Sequence, residues 1–293
     1  MKSDSSLIQP NDWHAKQDIQ ITKALDALSV VQNSESAFIR LRALGDELLM
    51  QKHFHNVVSE KRKYEEFSVF DMGCGQGDIL EKIALHFPNV ELHGLDANLT
   101  SVEKARERCP KALITQGLFQ NVVGQYDVVV CCEVFEHVED YRGLLDKLHA
   151  ITKPGGLLSI STPSGWMWRN PSEYTIKNAI RNWAWYRRNY LRPEENWQEA
   201  LRIHPAIWPK KLIKLCESRG FTLLSRQSSL WHLQMDGWLA RTFQRLEKRN
   251  PNKAAIDYIN IVTALDAIMN CIPFFRFKET RFVLALRKPK SRA

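Results

Sequence analysis

Phe67-Ser-Val-Phe-Asp-Met-Gly-Cys-Gly-Gln-Gly77 decides how this chain is read. Phe67 to Met72 has the apolar texture of a strand. It runs into glycines at 73, 75 and 77, and then into a helix with Ile79, Leu80, Ile83 and Leu85 on its apolar side. A strand, a glycine turn and a helix in that order open an α/β sheet, and ligands of such sheets bind beyond the carboxyl ends of the strands. The same alternation continues outward. Val90 to Leu95 is a second strand ending in Asp96, Asn98 to Arg108 a helix and Ala112 to Thr115 a short strand. Tyr126-Asp-Val-Val-Val-Cys-Cys132 is apolar almost throughout, as a central parallel strand buried on both faces must be. Gly143 to Ile151 reads as helix, Lys153-Pro-Gly-Gly156 as a turn, and Leu157 to Ser161 as a strand. Lys210 to Arg219 reads as a helix stopped by Gly220, followed by strands at Phe221 to Arg226 and Arg281 to Leu286.

Seven strands alternating with helices specify an α/β, doubly wound, Rossmann-like sheet. Residues 1–64 precede it as a helical segment, with Ile21, Leu25, Leu28, Leu41, Leu44 and Leu48 at three- and four-residue steps. Residues 65–293 form the main domain, interrupted by helical cap insertions at about 163–209 and 228–279.

The glycine loop separates two cofactor classes. A nicotinamide fingerprint requires a third glycine three positions after the second, and that position is Asp78. Asp71 stands two residues before the first glycine, where a carboxylate repels a pyrophosphate but suits a cationic amino or sulfonium group. Asp96 at the end of the second strand is placed to accept hydrogen bonds from ribose hydroxyls, with Ala97 beside it. These features favour S-adenosylmethionine (SAM) over a dinucleotide.

A second cluster follows the fourth strand: Glu133-Val-Phe-Glu136-His137-Val. If Glu133 begins a helix, Glu136 and His137 fall on one face with it. Two carboxylates and an imidazole near the reacting methyl suit a metal site or a general base. The plainer alternative is that Glu133 touches the cofactor while Glu136 and His137 cap and pack the helix.

Taken together, Val69-Phe-Asp-Met-Gly-Cys-Gly-Gln-Gly77, the Asp96 strand end, Tyr126-Asp-Val-Val-Val and Lys153-Pro-Gly-Gly-Leu-Leu resemble successive motifs of class I SAM-dependent methyltransferases. The resemblance is strong over about residues 65–165 and loose over 204–288. It implies strand order 3-2-1-4-5-7-6 with the last strand antiparallel. It also implies a cofactor site made by Asp71, Gly73, Gly75, Gly77, Asp96, Ala97 and Glu133. Many members carry Asp after the glycine that ends the third strand. Here Gly117 is followed by Leu118-Phe119, which leaves adenine to Gln116, Gly117, backbone groups and apolar packing.

The segment Glu-x-x-Glu-His-Val, with Ser161-Thr-Pro163, is similar to ubiquinone-pathway O-methyltransferases and to HEN-type small-RNA 2′-O-methyltransferases. That similarity implies a divalent metal such as Mg²⁺ on Glu133, Glu136, His137 and a second histidine, for which His204 is the candidate. Without metal, His137 and Glu136 are the catalytic candidates.

Composition narrows the partners. The 293 residues carry a net charge of +8, which favours anionic partners, although no long Lys/Arg run occurs. Six scattered cysteines without a C-x-x-C pair suit a reducing compartment. The first nine residues lack the apolar run of a secretory signal, and Ala254 to Phe275 is broken by Asp257, Asn260, Asp266 and Asn270. A cytoplasmic protein is expected, with contact at a membrane surface left open. Residues 166–208 hold six of the nine tryptophans interleaved with arginines, which suits a lid over a flat, amphipathic or anionic acceptor or a self-packed cap. Three functions fit: O-methylation of a small-molecule hydroxyl (aromatic, isoprenoid or sugar-like), 2′-O-methylation of RNA, and SAM binding without catalysis. The acids and the Glu-Glu-His cluster argue against the third. Net charge and the cluster's resemblance support the second, and the lack of a separate RNA-binding module or clear basic stripe sets the first above it.

Overall fold

The computed structural model describes residues 37–138, 140–163, 208–229 and 281–290, with scattered positions between 243 and 268. His204, most of both insertions and the chain before residue 37 lie outside the described residues.

The strands are β1 Phe67–Met72, β2 Val90–Asp96, β3 Leu113–Gln116, β4 Tyr126–Cys132, β5 Thr152–Pro163, β6 Thr222–Ser229 and β7 Arg281–Arg287. They form one sheet in the order β3-β2-β1-β4-β5-β7-β6, with β7 antiparallel to both neighbours, the topology implied by the family resemblance. The helices are α1 Ala37–Val58, α2 Asp78–His86, α3 Leu99–Arg108, α4 Tyr141–Ile151 and α5 Pro209–Glu217. Burial explains the order. All six β1 residues are buried and β4 buries Val128 to Cys131, so these strands sit centrally, whereas β3 buries only Ile114 and lies at an edge. Alternate side chains build two cores. Met72, Val129, Cys131, Leu158 and Ile160 pack with Leu144, Leu145 and Leu148 of α4. On the other face Val69, Val128, Val130 and Leu157 pack with Ile83 of α2 and Val102 of α3. Each such aliphatic side chain contributes about 1.5–3 kcal/mol on burial.

Two features depart from the sequence reading. The glycines at 155 and 156 do not end a turn before β5. Gly155 adopts a φ of +80° inside the strand, and the β4–β5 register shifts between Tyr126 and Val128. Between β3 and β4 the connection carries a 3-10 turn at Phe119–Asn121 where the alternation would place a helix. Beside it lies a cavity of about 310 Å³ lined by residues including Phe70, His93, Leu95, Thr115, Gln116 and Tyr126.

The chain divides into two compact units, one holding Leu49–Leu230 with Ile268–Ala293 and the other Met1–Leu48 with Trp231–Ala267. In the second, the Phe243 and Tyr258 rings meet edge to face at 5.3 Å. The sheet-bearing unit thus takes in part of the helical segment read as residues 1–64. Within that unit the C-terminal half of α1 carries a buried polar network. His53 Nδ1 lies 2.8 Å from Ser159 Oγ, Asn56 donates to the same oxygen at 2.9 Å, and Gln227 donates to Asn56. Burial pushes the His53 imidazole down to about 3, so it is neutral. Among the described residues no helix is long and apolar enough to cross a membrane.

Candidate active site

The glycine loop is pinned to the end of β2. Gly73 and Cys74 both donate their backbone N–H to the Leu95 carbonyl, at 2.7 and 3.0 Å. Gly73 has a φ of +75°, and a Cβ there would stand 2.4 Å from Val134 Cγ2. Glycine is therefore required twice over, by backbone conformation and by the approach of the turn after β4. Gly73→Ala is expected to cost about 1–2 kcal/mol for the left-handed backbone, before any cost of displacing Val134. Thermal unfolding should register this as a melting point lower by several degrees, and an unchanged transition would show that the loop relaxes freely. Gly75 differs, because a Cβ there would meet nothing within 4 Å. Its role is to bring a backbone N–H to Asp96 in front of open space.

Asp96 organises this end of the sheet. Its Oδ2 accepts from Gly75 N at 2.9 Å and its Oδ1 from Asn98 N at 2.8 Å. Two carboxylate oxygens offer about four acceptor sites, so both keep capacity for a ligand's hydroxyls. Gly117 N donates to the Asp96 carbonyl at 3.0 Å, and Gln116 Nε2 donates to the Ala97 carbonyl at 3.2 Å. Asp71, Gly73, Gly75, Gly77, Asp96, Ala97, Gln116 and Gly117 are thus gathered at the C-terminal ends of β1, β2 and β3, with the Gln116 amide already engaged by the protein.

Asp71 is 1% exposed, and its Oδ1 makes no hydrogen bond. Burial, and secondarily the charge of Asp96, pushes its carboxyl up to about 7. A buried carboxylate oxygen without a donor, beside a loop with open space at Gly75, fits a ligand that brings a positive or hydrogen-bond-donating group. SAM has that chemistry at its amino and sulfonium ends, together with a ribose for Asp96.

The turn after β4 differs from the expected helix. Glu133 is not helical. It has a φ of +55°, the only positive φ outside glycine among the described residues. A side chain held in the left-handed region costs about 1–3 kcal/mol and marks a position fixed for a reason beyond local preference. Phe135–His137 is a single 3-10 turn, and α4 begins only at Tyr141, capped by Asp140. The three residues therefore do not share a helical face. Glu133 N donates to the Ser161 carbonyl and its Oε1 accepts from Ser161 Oγ, both at 3.1 Å. Its Oε2 lies 3.0 Å from Arg281 Nε at the start of β7. Glu136 is buried and accepts from Thr162 Oγ1 at 3.1 Å. Burial first, then the charge of Glu133, pushes its carboxyl up to about 8. The His137 side chain is 57% exposed, with Nε2 3.9 Å from Glu136 Oε1. Among the described residues no three His, Cys, Asp or Glu side chains are arranged to hold a metal ion. Glu133 is engaged by Ser161 and Arg281, and the implied fourth ligand, His204, lies outside the described residues.

Sequence reading missed Arg281 as a member of this site. It lies 148 residues from Glu133, and the signal would have been a basic residue opening an antiparallel strand whose register sets it beside Pro163.

The strand order, the glycine loop and the acid ending β2 define a class I SAM-dependent methyltransferase. Residues 38–226 match the methyltransferase domain family, and the chain belongs to it. It is 31% identical over 127 residues to a ubiquinone biosynthesis O-methyltransferase of Pseudomonas aeruginosa, covering 41% of this chain and 52% of that protein. It is 29% identical over 121 residues to a trans-aconitate 2-methyltransferase of Paracidovorax citrulli, covering 40% and 46%. The chain spans about half the length of these curated relatives. Among solved structures it resembles magnesium protoporphyrin IX methyltransferase of Synechocystis PCC 6803 with bound S-adenosylhomocysteine (SAH). The TM-score is 0.53 at 12% identity, over 95% of this chain and 99% of that one, a likeness of fold.

Proposed function

We propose that this protein transfers the methyl group of SAM to an oxygen of a small-molecule acceptor. The observation that carries the reading is the pairing of an Asp96 carboxylate that holds the Gly75 N–H in front of open space with a buried Asp71 oxygen that lacks any donor. Bound there, SAM supplies an electrophilic methyl group activated by its sulfonium charge. The remaining work is to hold the acceptor in line and remove its proton, tasks that geometry and a placed base accomplish. His137, half out of the protein at the rim, takes that proton, with Glu136 Oε1 3.9 Å behind its Nε2 to orient the ring. Glu133 faces the methionine end. The similarity to an O-methyltransferase of ubiquinone biosynthesis supports oxygen as the acceptor atom, and both named relatives concern small molecules.

The test is a methyl-transfer screen with labelled SAM over catechols, polyprenyl phenols, glycosides, carboxylic acids and short RNAs. Label on a small hydroxyl compound is the expected result. Label on RNA alone, with strongly salt-dependent binding, would replace this reading with nucleic-acid methylation. With an acceptor in hand, His137→Ala should lower kcat by about 10²–10⁴-fold, the usual scale of general-base catalysis, while SAH affinity holds within about two-fold. Equal losses in both would assign His137 to cofactor binding instead.

A further inference from the structure

We propose that Arg281 is the built-in cation of the Glu133–Glu136 pair: its guanidinium occupies the charge-balancing role that a divalent ion would otherwise take. The proposal builds on the site reading above and concerns which positive charge the site uses. Arg281 is buried at the first residue of β7, paired across the sheet with Pro163 of β5 and Ser229 of β6. That register delivers its side chain to the C-terminal end of β5, where Ser161 and Thr162 hold the two glutamates. Its Nε stands 3.0 Å from Glu133 Oε2, an ion pair inside the protein. Ser161 meanwhile holds the other oxygen of the same carboxylate.

A metal ion bonded to Glu133 would sit about 2.0–2.2 Å from a carboxylate oxygen. One of these oxygens is at ion-pair distance from a guanidinium, which stays charged at every accessible pH. Placing a dication there forces like charges together in a buried setting that screens poorly. Arg281 is buried on a strand paired on both sides, which fixes the point from which its side chain reaches Glu133. The left-handed backbone of Glu133 belongs to the same arrangement: it turns the side chain toward Ser161 and Arg281 instead of along a helix with Glu136 and His137.

The experiment is a Mn²⁺ titration of the whole chain, followed by loss of the free-ion paramagnetic signal, with SAH calorimetry on the same samples. The wild-type protein is expected to bind no Mn²⁺ that Glu133→Gln abolishes. Arg281→Met, which keeps the length and removes the charge, is expected to gain Mn²⁺ affinity by at least about ten-fold, and the added Glu133→Gln change should erase the gain. One equivalent of Mn²⁺ on the wild type, lost in Glu133→Gln, overturns the proposal, as does a folded Arg281→Met protein with no gain. If Arg281→Met fails to fold, the comparison of wild type with Glu133→Gln decides alone. Retained SAH binding beside a failed metal result sinks only the Arg281 assignment, whereas absent SAH binding on the wild type sinks the cofactor reading.

Discussion

Asp96→Ala should lower the affinity for both SAM and SAH by about 100-fold or more, measured by calorimetry, with the protein still folded. The carboxylate accepts two backbone N–H bonds that shape the cradle, from Gly75 and Asn98, and in the proposed function it also accepts from the ribose hydroxyls. Hydrogen bonds to a charged group contribute about 1.5–3 kcal/mol each, so losing those to the ligand alone removes two orders of magnitude or more. The Gly75 loop loses its anchor as well, which adds to the loss. SAM and SAH should suffer alike, because the ribose is common to both. A variant that binds either compound within about three-fold of wild type would remove Asp96 from the cofactor site. Micromolar binding of NAD by the wild type, with no response to SAM or SAH, would overturn the cofactor assignment as a whole.

Asp71→Asn should produce the opposite combination, a more stable ligand-free protein that holds SAM less well. The folded chain keeps the Asp71 proton to about pH 7, against 3.8 for an ordinary aspartate. Between those values the native state binds more protons than the unfolded chain, so stability is highest below pH 4 and falls as pH rises to 7. A shift of this size corresponds to about 4 kcal/mol at pH 8, from which an unpaired buried amide takes back about 1–3 kcal/mol. The net gain at pH 8 should raise the melting temperature by several degrees, and it should vanish near pH 4. Glu136 is also raised by burial and gives a slope of the same sign, but it is present in both proteins and cancels in the comparison. SAM should lose more affinity than SAH in this variant, because only SAM carries the sulfonium charge that the carboxylate attracts. Equal losses for the two ligands would place Asp71 away from the charged end of the cofactor, and a wild type more stable than the variant at pH 8 would show that its carboxylate is not strained by burial.

The glycine loop and the acids beside it were legible in the sequence because their signals are local. Gly73 and Gly75 answer to backbone demands within a few residues, and Asp71 and Asp96 close strands whose apolar texture identifies them. The Glu-Glu-His cluster was legible as a cluster and misread in shape. Spacing of three and four residues predicts a shared helical face only if a helix is present. Here the backbone of Glu133 leaves the helical region because its N–H and its side chain are both taken by Ser161 of the neighbouring strand.

By itself, then, the sequence determined the alternation of strands and helices, the glycine cradle and the acids that face it, since each depends on residues near one another in the chain. Tertiary structure decided the charge of the second cluster. β7 inserts antiparallel between β5 and β6, and only that register carries Arg281 to within 3.0 Å of Glu133. An ion pair between residues so far apart in the chain has no periodic or local trace, because its cause is strand order, and strand order is fixed by which faces can be buried together.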